Sequence, residues 1–183
     1  MNLAIREINN QDEEKILEML EEYEKSELIE GIDRYEGIRN VEDLKNMSFL
    51  EWLNDLEIKK DENKLPKEFS PQTTYILVDE KDEIVGMVNI RWKEVPVLMS
   101  YGGMIGYSIR PSKRGQGYAN EMLRLALEIL FKVSKKQKIL MTCKDFNISS
   151  KKVIEKNNGI YENTIYDCED GYNHLRYWIE NNI

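Results

Sequence analysis

The segment from Met104 to Ala126 contains the residues best suited to hold a phosphate group. Its first part is rich in β-branched and aromatic residues and stops at Pro111, which predicts a buried strand. Its last part has apolar residues at helical spacing, and Gly115 and Gly117 lie between the two. A glycine loop that leads directly into a helix presents unpaired main-chain N–H groups at the positive end of the helix dipole. The segment therefore predicts an anion-binding site.

Two well-known phosphate loops do not fit this segment. The P-loop ends in Gly-Lys-Ser or Gly-Lys-Thr, whereas Gly117 is followed by Tyr118 and Ala119. The dinucleotide-binding fingerprint needs a third glycine where this chain has Asn120, and it normally follows the first strand of its domain. Both loops are excluded.

The loop instead resembles the Arg/Gln-x-x-Gly-x-Gly/Ala signature of the GNAT superfamily of acetyl-CoA-dependent N-acetyltransferases. Two later segments agree: Ile139–Cys143 reads as the next strand, and Asn147–Gly159 resembles the superfamily's later asparagine-containing helix. The resemblance covers about the C-terminal two thirds of the chain. It implies that the loop holds the pyrophosphate of coenzyme A. The loop residues are Arg114, Gly115, Gln116, Gly117, Tyr118 and Ala119.

The resemblance also assigns roles to the strand before the loop. In the superfamily this strand separates from its neighbour, and its main-chain N–H groups bind the pantetheine arm and the acetyl carbonyl. Here these groups would come from residues 107–110, with Ile109 as the best single position and Arg110 as a further coenzyme contact. The alternative is an ordinary buried strand.

Asn147 has two roles open to it. As a helix cap, its amide oxygen would accept a main-chain N–H, whereas the resemblance lets the same side chain contact the pantetheine arm. Ser150, three residues later, is predicted to contact the coenzyme as well.

The chain departs from the resemblance at the residues that transfer protons. Many members have a tyrosine seven residues after the asparagine, which protonates the leaving thiolate, but this chain has Ile154 there. Tyr161, Tyr107 or a water molecule could replace it. Glu94 is the predicted base, with a surface loop charge as its alternative. Asn158 replaces the usual glycine at the helix end, where asparagine tolerates the left-handed conformation.

Composition limits the other function classes. With 183 residues the chain is predicted to form one domain, residues 1–183, and its net charge of −8 argues against non-specific nucleic-acid binding. Neither a membrane span nor a signal peptide is present, which predicts a cytoplasmic protein without a membrane partner. His174 is the only histidine and the two cysteines form no CxxC pair, so no metal site is predicted. His174 is expected to be a strand residue with ordinary partners.

The charge is unevenly divided. Residues 1–64 carry a net charge of −10 and residues 65–183 a net charge of +2. In GNAT folds the first helices flank the acceptor site, so the split predicts a small cationic amine as acceptor; the alternative is an acidic face that keeps the protein in solution. The expected activity is direct acetyl transfer from acetyl-CoA. A non-catalytic acyl-CoA-binding module, a protein N-terminal or lysine acetyltransferase, and assembly as a homodimer stay open.

The elements that must position these residues give an α/β (α+β) fold, with a mixed, mostly antiparallel central sheet and helices on both faces. A helix Asp12–Lys25, capped by Asn10 or Asp12, and a helix from Asn40 to about Leu56 precede the sheet, the second with an apolar stripe of Leu44, Met47, Leu50 and Leu53. The predicted strands are Leu3–Ile8, Thr73–Asp79, Glu83–Trp92, Met104–Arg110, Ile139–Cys143, Ile160–Tyr166 and Tyr172–Ile179.

Overall fold

The computed structural model describes residues 2–28 and 32–182. Within these ranges, all seven predicted strands are confirmed, with ends that differ by at most one residue. No helix in the described part is both long and apolar enough to cross a membrane. The elements are β1 (Ala4–Glu7), α1 (Glu13–Lys25), α2 (Phe49–Lys60), β2 (Gln72–Val78), β3 (Ile84–Arg91), β4 (Ile105–Ile109), α3 (Tyr118–Ser134), β5 (Lys138–Lys144), α4 (Ile148–Lys156), β6 (Ile160–Asp167) and β7 (Tyr172–Glu180).

The strands form two sheets in the orders β1-β2-β3-β4 and β5-β7-β6, and every strand pair in the described part is antiparallel. The predicted fold class, antiparallel strands flanked by helices, is confirmed. The predicted central sheet is divided between β4 and β5, which share no ladder among the described residues. The two sheets meet just before β4, where Met104 N donates to Leu140 O at 2.8 Å.

Helices cover both faces of the first sheet, as the sequence predicts. Successive strand residues point to opposite faces, so Ile76 and Met87 pack with α1 and α2, whereas Leu77 and Val88 pack with α3. Each face is buried in its own apolar core. The strands between the two cores are thereby fixed, and β4 is held at the edge where the sheets separate.

The predicted second helix is wrong in its extent and its register. Residues 39–45 form a 3-10 helix, and α2 begins only at Phe49. Ser48 caps α2, because its Oγ accepts from Glu51 N at 3.3 Å while the Glu51 carboxylate accepts from Ser48 N at 2.8 Å. Leu50 of the predicted stripe is 67% exposed, and the buried side is formed by Phe49, Trp52 and Leu56.

The predicted caps also act differently. Asp12 occupies the N-cap position of α1, as one of the two alternatives predicts, but its side chain makes no capping hydrogen bond there. Asn9, not Asn10, caps the 3-10 turn before α1, and its main-chain N–H donates to Asp12 at 2.9 Å. The Asn40 side chain does not cap a helix; its Nδ2 donates to Thr74 Oγ1 at 2.7 Å and ties the 3-10 helix to β2.

We expect Ser48→Ala to lower the free energy of unfolding by about 1 kcal/mol, because the Glu51 N–H loses its cap. Urea denaturation measures this difference. Leu50→Ala is the matched control: it removes an exposed side chain and should change the free energy by less than about 0.5 kcal/mol. A larger loss for Leu50→Ala would restore the stripe predicted from the sequence.

The end of α4 has the predicted left-handed residue. Asn158 has φ +63°, which asparagine tolerates better than other side chains. The next residue, Gly159, packs against the helix so closely that a β-carbon would lie 2.5 Å from Ile154 Cγ2. This turn therefore holds Ile154 in the core.

Candidate active site

A cavity of about 910 Å³ opens where β4 and β5 separate. It is lined by both strands, by the glycine loop before α3, by the first turn of α4, and by two segments farther away in sequence. One of these is the connector between α1 and α2, and the other is the turn between β6 and β7. The connector lies directly on β4: a β-carbon on Gly106 would be 2.4 Å from Gly37 O.

The main chain of β4 faces the cavity with unpaired groups. In an antiparallel pair, residues alternate between hydrogen-bonded and non-hydrogen-bonded positions. Arg110 N donates to Val85 O at 2.9 Å, and Gly86 is opposite Ile109. Counting back from Arg110, Ile109 and Tyr107 fall on non-hydrogen-bonded positions, and their N–H groups point away from β3. They lie on the edge of β4 that faces the gap between the sheets, where the connector packs beside Tyr107: a β-carbon on Gly37 would be 2.6 Å from Tyr107 N.

The glycine loop has the backbone that an anion needs. Gly115 and Gly117 have φ values of +75° and +86°, and a β-carbon on either would meet no atom within 4 Å. Gly117 precedes α3 without a side-chain cap, so no side chain occupies the first N–H groups of the helix. Five of the six predicted loop residues line the cavity, namely Arg114, Gly115, Gly117, Tyr118 and Ala119. Gln116 does not; its Nε2 donates to Ser112 O at 3.3 Å.

The two arginines beside the loop are used differently. Arg114 lines the cavity, with Nε donating to Ile109 O at 3.2 Å and its guanidinium 5.5 Å from the ring centre of Tyr23. Arg110, predicted as a coenzyme contact, does not line it. Its Nε donates to Glu22 Oε1 at 2.7 Å, and its N–H belongs to the sheet. Arg110 therefore fastens α1 to the end of β4.

The first turn of α4 brings two predicted residues to the cavity. Asn147 Oδ1 accepts from Ser150 N at 3.1 Å, so the capping role is confirmed, and both side chains line the cavity. Ser150 Oγ lies 3.2 Å from the hydroxyl of Tyr107. Ile154, one turn later, is fully buried in the core and does not reach the cavity.

The two candidate tyrosines are separated by the structure. Tyr107 lines the cavity, and burial raises the pKa of its phenol, so it stays protonated at neutral pH. Tyr161 is not a lining residue: it is 53% exposed, and its hydroxyl lies 2.8 Å from Thr164 Oγ1 on the same strand. Tyr161 lies on β6, which β7 separates from β5 and the opening. The sequence pattern does not show this strand order and so could not exclude Tyr161.

Glu94, the predicted base, is likewise not brought to the cavity. It lies on the connector after β3, and its Oε1 accepts from Lys136 Nζ at 2.7 Å. The structure thus supports the alternative reading, a paired surface charge.

Six carboxylates line the cavity from the two distant segments, and we call them the carboxylate rim. They lie beside the turn that precedes β4, whereas the glycine loop follows β4: the ring of Tyr101 in that turn is 5.8 Å from the ring of His174. The negative charge of Asp167 raises the pKa of Tyr101. The rim consists of Glu27, Asp33, Glu36, Asp167, Glu169 and Asp170.

Half of this rim was missed from the sequence. Residues 167–170 belong to the part of the chain with a net charge of +2, so net charge hid them. The signal that could have found them is the Asp170-Gly171 turn, since β7 pairs directly with β5 and carries the turn to the opening.

His174 has ordinary strand partners, as predicted. Its Nε2 lies 3.0 Å from Asp170 Oδ2. Asp167, Asp170 and His174 offer three ligand atoms within 4.8 Å of one another. The ammonium group of Lys144 lies 3.5 Å from Asp170 and 3.8 Å from Glu36, so this group of side chains is an ion-pair network that joins the two segments of the rim.

A divided antiparallel sheet with a cavity at its opening and a glycine loop at the helix that follows is the arrangement that the GNAT resemblance implies for an acyltransferase. A family model described as the acetyltransferase (GNAT) domain matches residues 2–159. The chain belongs to this family, and it is an acyltransferase. Acetyl-CoA is the acetyl donor that the family implies.

Solved structures agree with the fold. A chimera of the spermidine N-acetyltransferase SpeG from Vibrio cholerae and hSSAT matches with a TM-score of 0.61 at 15% identity, over 98% of this chain and 96% of that chain. The ribosomal-protein-S5-alanine acetyltransferase from Vibrio fischeri matches with a TM-score of 0.64 at 16% identity, over 100% and 94%. No curated protein matches by sequence. At these identities the likeness is one of fold.

Proposed function

We propose that this enzyme transfers acetyl from acetyl-CoA directly to a primary amine held at the carboxylate rim. The observation that carries the proposal is the pair of β4 N–H groups that face the opening beside the glycine loop. A thioester placed along the opening has its pyrophosphate at the loop and its carbonyl at β4. The amine then attacks from the side of the rim.

The N–H groups of Tyr107 and Ile109 do the electrostatic part of the reaction. As the amine nitrogen bonds to the carbonyl carbon, the carbonyl oxygen gains negative charge, and a fixed main-chain donor stabilises it without reorganisation. Removing one such donor from an oxyanion site typically costs about 100-fold or more in kcat. Because these donors are main-chain groups, the strand geometry matters more than the side chains.

Tyr107 is the proposed proton donor to the leaving thiolate. Its hydroxyl lies 3.2 Å from Ser150 Oγ on α4, one helical turn before Ile154. Residues four apart lie on the same face of a helix. Tyr107 therefore brings a phenol to the face of α4 where the GNAT resemblance places a tyrosine.

A covalent acetyl-enzyme through Cys143 is disfavoured. Cys143 lines the cavity, but burial raises the pKa of its thiol to about 12. The thiolate is the nucleophilic form, so very little of it exists at neutral pH. This supports direct transfer in a ternary complex.

His174 is the proposed acceptor of the proton that the amine loses, in place of Glu94. It lines the cavity at the rim, beside Asp170.

The rim also supports a cationic acceptor, although not through the N-terminal third alone. Three of its carboxylates come from the connector and three from the β6–β7 turn. Carboxylates in a cleft attract cations and raise the encounter rate. Salt weakens this effect, because it screens charges that are more than about 8 Å apart at physiological ionic strength. Two solved relatives by fold are named for spermidine and for a ribosomal protein, which leaves the size of the acceptor open.

The experiment compares cadaverine with n-pentylamine, which differ by one terminal ammonium group. Thiol release from acetyl-CoA gives kcat/KM for each amine across a salt series. We expect cadaverine to be preferred by about 10-fold at low salt, with the preference shrinking as salt rises. Both rates should increase with pH towards the pKa of the amine, because only the neutral amine attacks.

The control is Glu57→Gln, which removes a carboxylate outside the rim and should leave the preference unchanged. Glu169→Gln should reduce it. Equal rates for the two amines at every salt concentration would reject the cationic acceptor, and absence of thiol release with any primary amine would reject the proposed activity.

A further inference from the structure

Arg91, the last residue of β3, points its guanidinium into the cavity with most of its donors unused. Its Nη1 donates to Gly102 O at 2.9 Å and to Gly103 O at 3.0 Å, in the turn that precedes β4. Within the described part of the chain, Nε and Nη2 have no hydrogen-bond partner. The two carbonyl groups fix the orientation of the guanidinium plane.

The charge of Arg91 is also uncompensated. The chain has eight arginines, and six of them have a carboxylate within 4.0 Å. The two without one in the described part are Arg114 and Arg91, and both line the cavity. Burial, and to a smaller extent the nearby charge of Arg39, lowers the pKa of Arg91 to about 10.

Arg114 and Arg91 lie at opposite ends of β4. Arg114 lies beside the glycine loop, where an anionic pyrophosphate is expected, and it therefore has a reason to lack a carboxylate partner. Arg91 is level with the start of β4, whereas the glycine loop follows the end of β4. Arg91 is half-buried, so its charge is partly desolvated without a carboxylate partner, and a guanidinium binds a carboxylate through two parallel hydrogen bonds. An anion at this end would satisfy both the charge and the free donors.

We propose that Arg91 anchors a carboxylate-binding subsite, so that the acceptor carries a carboxylate in addition to its amine. This inference rests on the proposed function and names its substrate class: a free amino acid or a peptide. Arg39 lines the same cavity from the connector, but its charge is paired with Asp33, so Arg91 is the cation left for the carboxylate. The amine is held by the carboxylate rim, and the carboxylate by Arg91.

The position of the subsite sets the shape of the acceptor. Arg91 N donates to Met104 O at 2.9 Å, so Arg91 is level with the start of β4. The proposed main-chain donors at Tyr107 and Ile109 lie three and five residues further along, on the order of 10 Å and 16 Å at about 3.3 Å per residue. An acceptor with several bonds between amine and carboxylate spans this distance better than a short one.

The test uses matched pairs that differ by one carboxylate. L-lysine is compared with cadaverine, its decarboxylated form, and glycylglycine with its C-terminal amide. We expect the carboxylated member to have a kcat/KM about 10-fold to 100-fold higher, the range of a charge-assisted hydrogen-bond pair. A preference only for lysine identifies a free amino acid, and a preference in both pairs includes peptides.

Arg91→Met removes the charge while keeping an apolar side chain of similar length, and it should bring the ratio within each pair close to one. Arg124→Met is the control, because Arg124 is paired with Glu121 and Glu128 on the surface of α3 and should not change the ratio. Loss of folding in Arg91→Met would appear as lost coenzyme A binding, and Arg91→Lys, which keeps the charge, then replaces it and should keep part of the preference.

Ratios near one in the wild type, or a ratio that survives Arg91→Met, would overturn the subsite while leaving acetyl transfer intact. If no amine is acetylated, the proposed function fails instead. In that case calorimetric binding of lysine and of cadaverine to the coenzyme A complex decides the matter: tighter binding of lysine supports the subsite, and equal or absent binding refutes it.

Discussion

Gly117→Glu is expected to abolish coenzyme A binding while the protein stays folded. The substitution places a side chain and a negative charge where the main-chain N–H groups at the start of α3 are open. The pyrophosphate loses these hydrogen bonds and meets a like charge. Hydrogen bonds to charged groups are each worth about 1.5–3 kcal/mol, so losing two of them raises the dissociation constant by more than about 100-fold. Isothermal titration calorimetry measures the change.

Two further variants separate the causes of this loss. Gly117→Gln has nearly the same shape without the charge, and it should bind coenzyme A more weakly than the wild type but more tightly than Gly117→Glu. Gly171→Glu is the matched control, because Gly171 also has a positive φ, +77°, and open space around a β-carbon, but it lies in the β6–β7 turn. Wild-type affinity in Gly117→Glu would exclude the loop as the pyrophosphate site.

The strands and the loop could be read from the sequence because local chemistry determines them. Runs of β-branched and aromatic residues bounded by turn residues predict each strand to within one residue. Gly115 and Gly117 have φ values of +75° and +86°, which glycine adopts easily. The alternation of main-chain groups along β4 follows from pairing alone. These features need no knowledge of what packs against them.

The failures share a different cause. The predicted second helix is wrong because apolar residues in a 3-10 segment and in α2 align at helical spacing. The capping box of Ser48 and Glu51 marks the true start of α2. Glu94 and Tyr161 have side chains suited to proton transfer, but in the folded chain Glu94 pairs with Lys136 and Tyr161 is exposed outside the cavity.

The carboxylate rim and the environment of Arg91 also depend on contacts between segments that are far apart in the sequence. Net charge per segment cannot tell which carboxylates meet, and the partner that Arg91 lacks becomes visible only when its neighbours in space are known. Contacts between distant residues bring a proton donor, a counter-charge and a main-chain donor to one place. Local sequence patterns do not show these contacts.

Tyr107→Phe is expected to lower kcat by about 100-fold and to leave the KM for acetyl-CoA nearly unchanged, because a positioned proton donor contributes about that much and binds little. Its buried phenol has a raised pKa, so the donor form is fully populated at neutral pH and its deprotonation should not limit the rate below pH 10. Single-turnover thiol release measures the step directly.

Tyr161→Phe is the control and should keep full kcat, since its hydroxyl pairs with Thr164 and Tyr161 does not line the cavity in the described part of the chain. Ser150→Ala leaves the phenol in place but removes the hydroxyl that holds it at 3.2 Å, so a smaller loss of kcat is expected there. The proton donor is contradicted if Tyr107→Phe retains kcat within about twofold while binding coenzyme A normally, or if Tyr161→Phe shows the larger loss. In the first case a water molecule protonates the thiolate, and the main-chain donors of β4 carry the catalysis.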